Sequence, residues 1–409
     1  MTEQVANIRL GDVITLQRGF DLPKKNRKPG NVALVSSAGI SDYQAETKVQ
    51  PPAVITGRYG TLGKVFYLEK PCFPLNTTLW VKDFKGNVPR FCKYLLETID
   101  FYSCSDKAAV PGVNRNHLEE LVVRKVSVPD QKAIAHILGT LDDKIELNQK
   151  MNQTLEDIAK AIFKSWFVDF DPVRAKAEGR PTGLPPEISD LFPEELVDSE
   201  IGEIPKGWVV SPISDFALHN KKTVNPSKSG DTYEHYSIPA FDSGQTPVLD
   251  FGVDIKSNKT VVVEGSLLVS KLNPNTPRIW LPKPKDAHEQ ICSTEFMVFT
   301  PNENANIAFL WGVFTSSSVS KRMEAIVTGT SKSHQRVKPK DVCNIEIGAP
   351  NDRLMRTYGD IVLPILNRTI NSISESNVIA ELRDTLLPKL ISGELRIPDA
   401  EKFLEEAGV

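Results

Sequence analysis

Residues 131–167 read QKAIAHILGTLDDKIELNQKMNQTLEDIAKAIFKSWF, with no proline and one glycine, Gly139. Apolar side chains recur at Ile134, Leu138, Leu141 and Ile145, then at Leu155, Ala159, Ile162 and Trp166. Steps alternating between three and four trace the seam of a coiled coil rather than the wider face of a globular helix. In the same register Asn148 and Asn152 fall on the seam, where buried amides weaken packing but fix alignment with a partner helix. Leu147, Met151 and Ile158 form a flanking row, enough for more than one neighbour. At ~1.5 Å per residue the rod is roughly 55 Å long and needs another helix to lie on.

Residues 168–172 stop the rod, and residues 172–207 are rich in proline and acid, the composition of an exposed connector rather than a core. On the other side, residues 1–70 hold short strand-like runs between turns: DVITLQ, NVALVSSAG, PAVITG and GKVFYL. A basic loop, Lys24, Lys25, Asn26, Arg27 and Lys28, separates the first two and is either a solvated turn or a phosphate-facing patch. The stretch GRYGTLGKV (57–65) departs from a phosphate-binding loop. Five residues rather than four precede Gly63-Lys64, and Val65 replaces the hydroxyl that would hold Mg²⁺. Its glycines suit a tight turn that presents Arg58, Tyr59 and Lys64 to a groove. Residues 90–104 read as a helix, followed by a loop, one helical turn and a strand that leads into the rod. That loop carries Asn114, Arg115 and Asn116. Asn and Arg pair bidentately with adenine and guanine edges, though both are also ordinary loop residues.

A second mixed segment begins at Ile204. Strand-like runs (TVVVEGSLLVSKL, RIWLP, EFMVFT) precede a helical stretch, IAFLWGVFTSSSVSKRMEAI, and a small-residue loop with basic ends, TGTSKSHQRVKPKDV. A second periodic segment follows at Leu363, Leu366, Ile370, Ile373, Asn377 and Ala380. Pro364 is expected to kink or start this helix and Pro388 to end it. Setting SVPDQ (127–131) against IGAPN (347–351) superposes the rods at an offset of about 221, placing Asn114-Arg115 on Gln335-Arg336. The fold class is therefore α+β. Two mixed α/β domains are separated by a long antiparallel two-helix coiled coil, as a pseudo-two-fold internal repeat. The expected segments are residues 1–129, the helix 130–171, the connector 172–203, residues 204–348, and the C-terminal helix and tail 349–409.

A chain of 409 residues exceeds one ordinary core, and 40% hydrophobic with 25% charged residues is normal for a globular protein. The net charge of −3 is unevenly spread: residues 1–128 hold 18 Lys+Arg against 12 Asp+Glu, and residues 204–348 hold 16 against 14. Acid is thus confined to the rod, connector and C-terminal region, and the first mixed segment is basic, as a phosphate-neutralising surface would be. Five cysteines with no CxxC pair argue against both a disulfide framework and a zinc site. MTEQVANIRL has no signal-peptide pattern and no apolar run approaches membrane-spanning length, so a cytoplasmic protein is expected.

The stretch DQKAIAHILGTLDDKIELNQKMNQTLEDIAKAIFKSWFVDFDPV resembles the central conserved region of the specificity (S) subunit of Type I restriction–modification enzymes. EIPKGW, GSLLVSKLNP, STEF, SHQR (333–336) and LLPKLISGEL (386–395) are similar to what such subunits carry at equivalent places. The resemblance implies two target recognition domains, each reading one half of a split double-stranded DNA sequence. It also implies that the conserved helices act as spacer and dock two methyltransferase subunits, with restriction subunits joining through them. S-adenosylmethionine, ATP and Mg²⁺ are then expected on those partners only. The chain carries no Asn/Asp-Pro-Pro-Tyr/Phe motif, no glycine-rich loop after a strand, no P-loop and no carboxylate cluster at nuclease spacing. No catalytic or metal residue is expected, and His136 on the rod is read as packed. DNA contacts are expected from Lys24, Lys25, Arg27, Arg58, Tyr59, Lys64, Asn114, Arg115 and Asn116, and from Lys271, Asn273, Lys332, His334, Gln335 and Arg336. Two other readings are a self-contained restriction or modification enzyme and a coiled-coil adaptor between proteins without DNA readout. A methylation assay and gel shifts on the isolated chain and the complex separate them.

Overall fold

The computed structural model describes residues 6–105, 111–328 and 335–406. The chain divides into two compact units, Met1–Glu146 with Val378–Val409, and Leu147–Asn377. Two long helices, Val128–Phe167 and Asp352–Ser392, each contribute one part to each unit.

In the first unit a four-stranded sheet runs Thr15–Arg18, Thr78–Asp83, Ala53–Gly57, Val65–Leu68. Ala53–Gly57 is buried along its whole length, as expected of a continuous apolar run at the centre of a sheet. A second ladder places Val32–Ser36 between an antiparallel neighbour, Gly39–Gln44, and a parallel one, Cys72–Pro74. Asn7–Arg9 pairs with Val122–Arg124, the strand that leads into the first long helix. The helix expected over residues 90–104 stops at Glu97. There Thr98 Oγ1 donates to the Leu95 carbonyl, and Asp100 accepts from the backbone N–H groups of Tyr102 and Ser103. Local side-chain bonding of this kind competes with helix continuation.

The second unit repeats these connections. Its four-stranded sheet runs Ala217–Asn220, Phe296–Pro301, Leu267–Ser270, Ile279–Trp280. Thr232–Tyr236 lies between antiparallel Val248–Phe251 and parallel Glu289–Cys292. Val209–Pro212 pairs with Glu346–Ala349, just before the second long helix. Among the described residues Thr223–Val224 has no counterpart strand in the first unit, and Lys259–Val261, which pairs antiparallel with Glu289–Cys292, is matched there only by the single bridge of Val49 to Cys72. Residues 172–207 differ from an exposed connector. Asp171–Ala177 is a helix, and Val173, Phe192 and Ile204 are buried in the same apolar cluster as Phe163 and Trp166. Pro172 and Pro186 sit in first helical turns, where no N–H is needed, so these prolines start structure instead of preventing it.

The long helices pair antiparallel within each unit. In the first, Ile134, Leu138 and Leu141 share a cluster with Ile379, Leu386 and Leu390. Beside them Asp142 accepts from Lys93 Nζ at 2.8 Å, Tyr94 Oη at 2.6 Å and Arg383 Nη1 at 2.8 Å. Burial opposes ionisation of this carboxyl, yet the Lys93 charge and these hydrogen bonds hold it below the usual carboxylate range. In the second unit Asn148 is buried and donates to Glu375 Oε2 and Ser376 Oγ, as its seam position required. Phe163, Trp166, Phe167 and Tyr358 then interlock with ring centroids 5.0–6.2 Å apart.

The second helix corrects three expectations. It begins at Asp352, continues through Pro364 and passes Pro388 to Ser392, ending at Gly393 with φ 76°. Both prolines are exposed, so the backbone groups they disturb face water. The buried seam runs through Tyr358, Val362, Leu366, Thr369, Ser372 and Ile379, and Leu363 lies outside it. Two successive steps end on polar residues, Thr369 and Ser372, so apolar periodicity points one position away. His136 is exposed, not packed. Leu147, Ile158, Leu363 and Val378 are also exposed, so apolar surface remains on both helices after pairing.

Candidate nucleic-acid interface

In the first unit the turn between Ala53–Gly57 and Val65–Leu68 is held from three sides. Arg58 and Tyr59 donate their N–H groups to the Thr77 carbonyl, Val113 donates to the Arg58 carbonyl, and Ser37 donates to Thr77 Oγ1. Gly60 and Gly63 take φ of 84° and 79°, the left-handed turn conformations their identity allows. Tyr59 pairs with Gly112, where an added Cβ would lie 2.3 Å from the Tyr59 ring, so only glycine fits. The Arg58 guanidinium sits 4.6 Å from the Tyr59 ring centroid, and Lys64 is exposed. Immediately after Val113, Asn114 caps the helix Arg115–Glu119 by accepting from the Asn116 N–H. Arg115 reaches back to the Leu16 carbonyl at 3.5 Å.

The second unit builds the same frame. Lys271 donates its N–H to the Glu295 carbonyl, and Val337 donates to the Lys271 carbonyl. Leu272 pairs with Arg336, and Asn273, at φ 50°, donates to the Gln335 carbonyl. Lys271 Nζ donates to the Thr294 carbonyl at 2.6 Å, and burial pushes its ammonium below the ordinary lysine value. Arg336 is held by Glu295, Nε to Oε2 at 3.0 Å and Nη2 to Oε1 at 3.0 Å. Lys332 and His334 lie outside the described residues.

These bonds match Arg58 with Lys271 and Gly112 with Arg336. The long helices and the caps Asn114 and Lys338 then correspond at an offset of about 224, three more than the sequence superposition. Asn114-Arg115 and Gln335-Arg336 are therefore not equivalent positions. Lys24, Lys25 and Arg27 fall apart from the cluster. Lys28 accepts from Ala45 N–H beyond the Val32–Gln44 end of a ladder whose opposite, Ser36–Gly39 end adjoins Thr77. Arg27 is engaged with Asp42 at 3.1 Å. Sequence reasoning missed Arg278, gripped bidentately by Asp242, and Arg18, which pairs with Asp21 next to Asn76. Neither arginine has neighbours in sequence that mark it. Among the described residues no group of three or more His, Cys, Asp or Glu could hold a metal.

A family model described as the Type I restriction modification DNA specificity domain matches residues 2–157. The chain is similar to the Type I restriction enzyme HindI specificity subunit of Haemophilus influenzae, 29% identical over 385 residues covering 79% of this chain and 81% of that one. It is also similar to the Type I restriction enzyme MjaIX specificity subunit of Methanocaldococcus jannaschii, 26% identical over 330 residues, 77% of this chain and 71% of that one. The crystal structure of a Type-I restriction-modification system S subunit from M. genitalium shares the fold, with a TM-score of 0.58 at 14% identity, covering 96% of this chain and 97% of that one.

Proposed function

We propose that the chain belongs to the family of Type I restriction–modification specificity subunits and is the DNA-recognition subunit of such a complex, a reading supported by the family-model match and the two relatives. One observation carries this reading for the residues themselves. The same backbone frame occurs once in each unit, presenting Arg58 in one and Lys271 with Arg336 in the other. Two frames of one design with different side chains suit two half-sequences of different composition. Residues 1–129 and 204–348 are the two target recognition domains on this reading, and the two long helices are the spacer. Arg58, Tyr59, Lys64, Asn114, Arg115 and Asn116 face the first half-site, and Lys271, Asn273, Gln335 and Arg336 the second. Lys24, Lys25 and Arg27 would reach only flanking phosphates.

The exposed apolar residues Leu147, Ile158 and Leu363 on the helices of the second unit are those we assign to contact with methyltransferase subunits, two of which would join each chain. S-adenosylmethionine, ATP and Mg²⁺ would be bound by the partners, which carry out the chemistry this chain directs. No described helix is long and apolar enough to cross a membrane, in keeping with a subunit that meets DNA in the cytoplasm. Genome-wide methylation mapping in cells carrying the chain and its partners tests the proposal. A two-part motif with an unread gap is expected, and the absence of any sequence preference would overturn it.

A further inference from the structure

We propose that Arg336 reads a guanine in the half-site of the second unit and that Glu295 is the residue that positions it, an inference that rests on the DNA-recognition reading above. The Glu295 carboxylate takes the Nε–Nη2 edge of the guanidinium, with Nε to Oε2 at 3.0 Å and Nη2 to Oε1 at 3.0 Å. Nη1 has no hydrogen-bond partner among the described residues, and nearly half of the Arg336 side chain is exposed. A guanidinium fixed along one edge presents its outer edge in a set orientation, the geometry that meets guanine O6 and N7 with two parallel bonds. The backbone fixes its base as well: Arg336 exchanges both backbone hydrogen bonds with Thr328 and pairs with Leu272.

Two comparisons separate base reading from the alternatives. A phosphate contact gains nothing from an adjacent carboxylate, which would repel the phosphate, and the pair carries no net charge with which to release counterions. A G·C edge suits both members, since guanine offers acceptors to Arg and cytosine N4 offers a donor to Glu. A pair needed only to fold the loop should recur in the other copy of the frame. The first unit has Thr77 in place of Glu295 and Gly112 in place of Arg336, with the Tyr59 ring filling the space a side chain would need. The frame is repeated and the pair is not.

The test uses the complex assembled with its methyltransferase subunits. Binding is measured to duplexes carrying its own methylated motif, with each base pair of both halves replaced in turn and at two salt concentrations. Arg336→Ala and Arg336→Lys should each flatten the preference at one G·C pair about tenfold or more, with other positions unchanged. Glu295→Gln should weaken preference at that same pair several-fold without reducing affinity for unrelated DNA. Thermal melting of each variant close to the parent's is expected for a surface pair. A uniform loss over all sequences with a salt slope lower by about one would make Arg336 a phosphate contact and overturn the inference. An unchanged base profile in both Arg336 variants would leave only a surface ion pair and overturn it too. A parent complex with no preferred sequence would instead remove the DNA-recognition reading itself.

Discussion

The two units close their helix seams by different means around the same connections. In the first, aliphatic side chains meet beside a charged network centred on Asp142, with Lys93, Tyr94 and Arg383 converging on one carboxylate. In the second, an amide and hydroxyls at Asn148, Ser372 and Ser376 give way to a block of aromatic rings around Phe163 and Tyr358. The difference teaches that backbone connections, not particular side chains, define the repeated unit. Packing and surface chemistry then vary within that frame.

The largest effect should come from the aromatic block. Phe163 lies over Gly312, where an added Cβ would fall 2.1 Å from its ring, and it also touches Phe167, Phe309 and Tyr358. Phe163→Ala should destabilise the second unit by about 3–5 kcal/mol. Hydrogen exchange resolved along the chain should register the loss in residues 147–377 and little change in the first unit. Equal loss in both units would break the comparison.

Asp142→Ala should cost about 2–3 kcal/mol in the first unit, because Lys93 and Arg383 are left as partly buried cations without their shared anion. Its neighbour Asp143, which pairs with Arg90 but is largely exposed, is the control, at about 1 kcal/mol or less. Unfolding of the two variants by denaturant should rank them in that order. Similar midpoints would mean that the network adds nothing beyond a surface pair.

The smallest effect is on pH. Burial lowers the pKa of His219 and of His235, whose Nδ1 faces Asp250 at 2.7 Å, so both stay neutral in the folded second unit below the ordinary histidine value. Between that lowered value and about 6.5 the unfolded chain binds more protons. Stability of the second unit should therefore fall as pH drops through this window. His235→Gln should shrink the difference in melting temperature between pH 7.5 and pH 5.5, and an undiminished difference would remove His235 from the account.

Much of this was legible in the sequence where one physical rule dominated. The first long helix was, because Ile134, Leu138 and Leu141 keep the three–four spacing and no proline interrupts them. The turn at Gly60 and Gly63 was, because positive φ selects glycine. The second helix was misread by one position, since Thr369 and Ser372 occupy its seam and hydrophobicity does not mark them. Its prolines misled because exposure makes a missing N–H tolerable there. The reading frame itself was only half visible. Arg58 and Lys271 stand out in turns, but their anchors Thr77 and Glu295 are brought to them by sheet pairing that no local pattern encodes. Arg336 was read as equivalent to Arg115 because the two helices were superposed three residues out of register, and a repeat of three–four steps matches nearly as well when slipped by one step.

The claim that two readers are held by a helical spacer is tested most directly by lengthening the spacer. Because the helices pair, four residues should be inserted after Met151 together with four after Ser372, within the polar layer that disturbs packing least. Four residues add ~6 Å and rotate the far end by ~40° beyond a full turn. A DNA base pair advances ~3.4 Å and turns about a tenth of a helical turn. The methylation map of this variant should carry both parental half-sequences with a gap longer by one or two base pairs. A map with altered half-sequences and an unchanged gap would contradict the account.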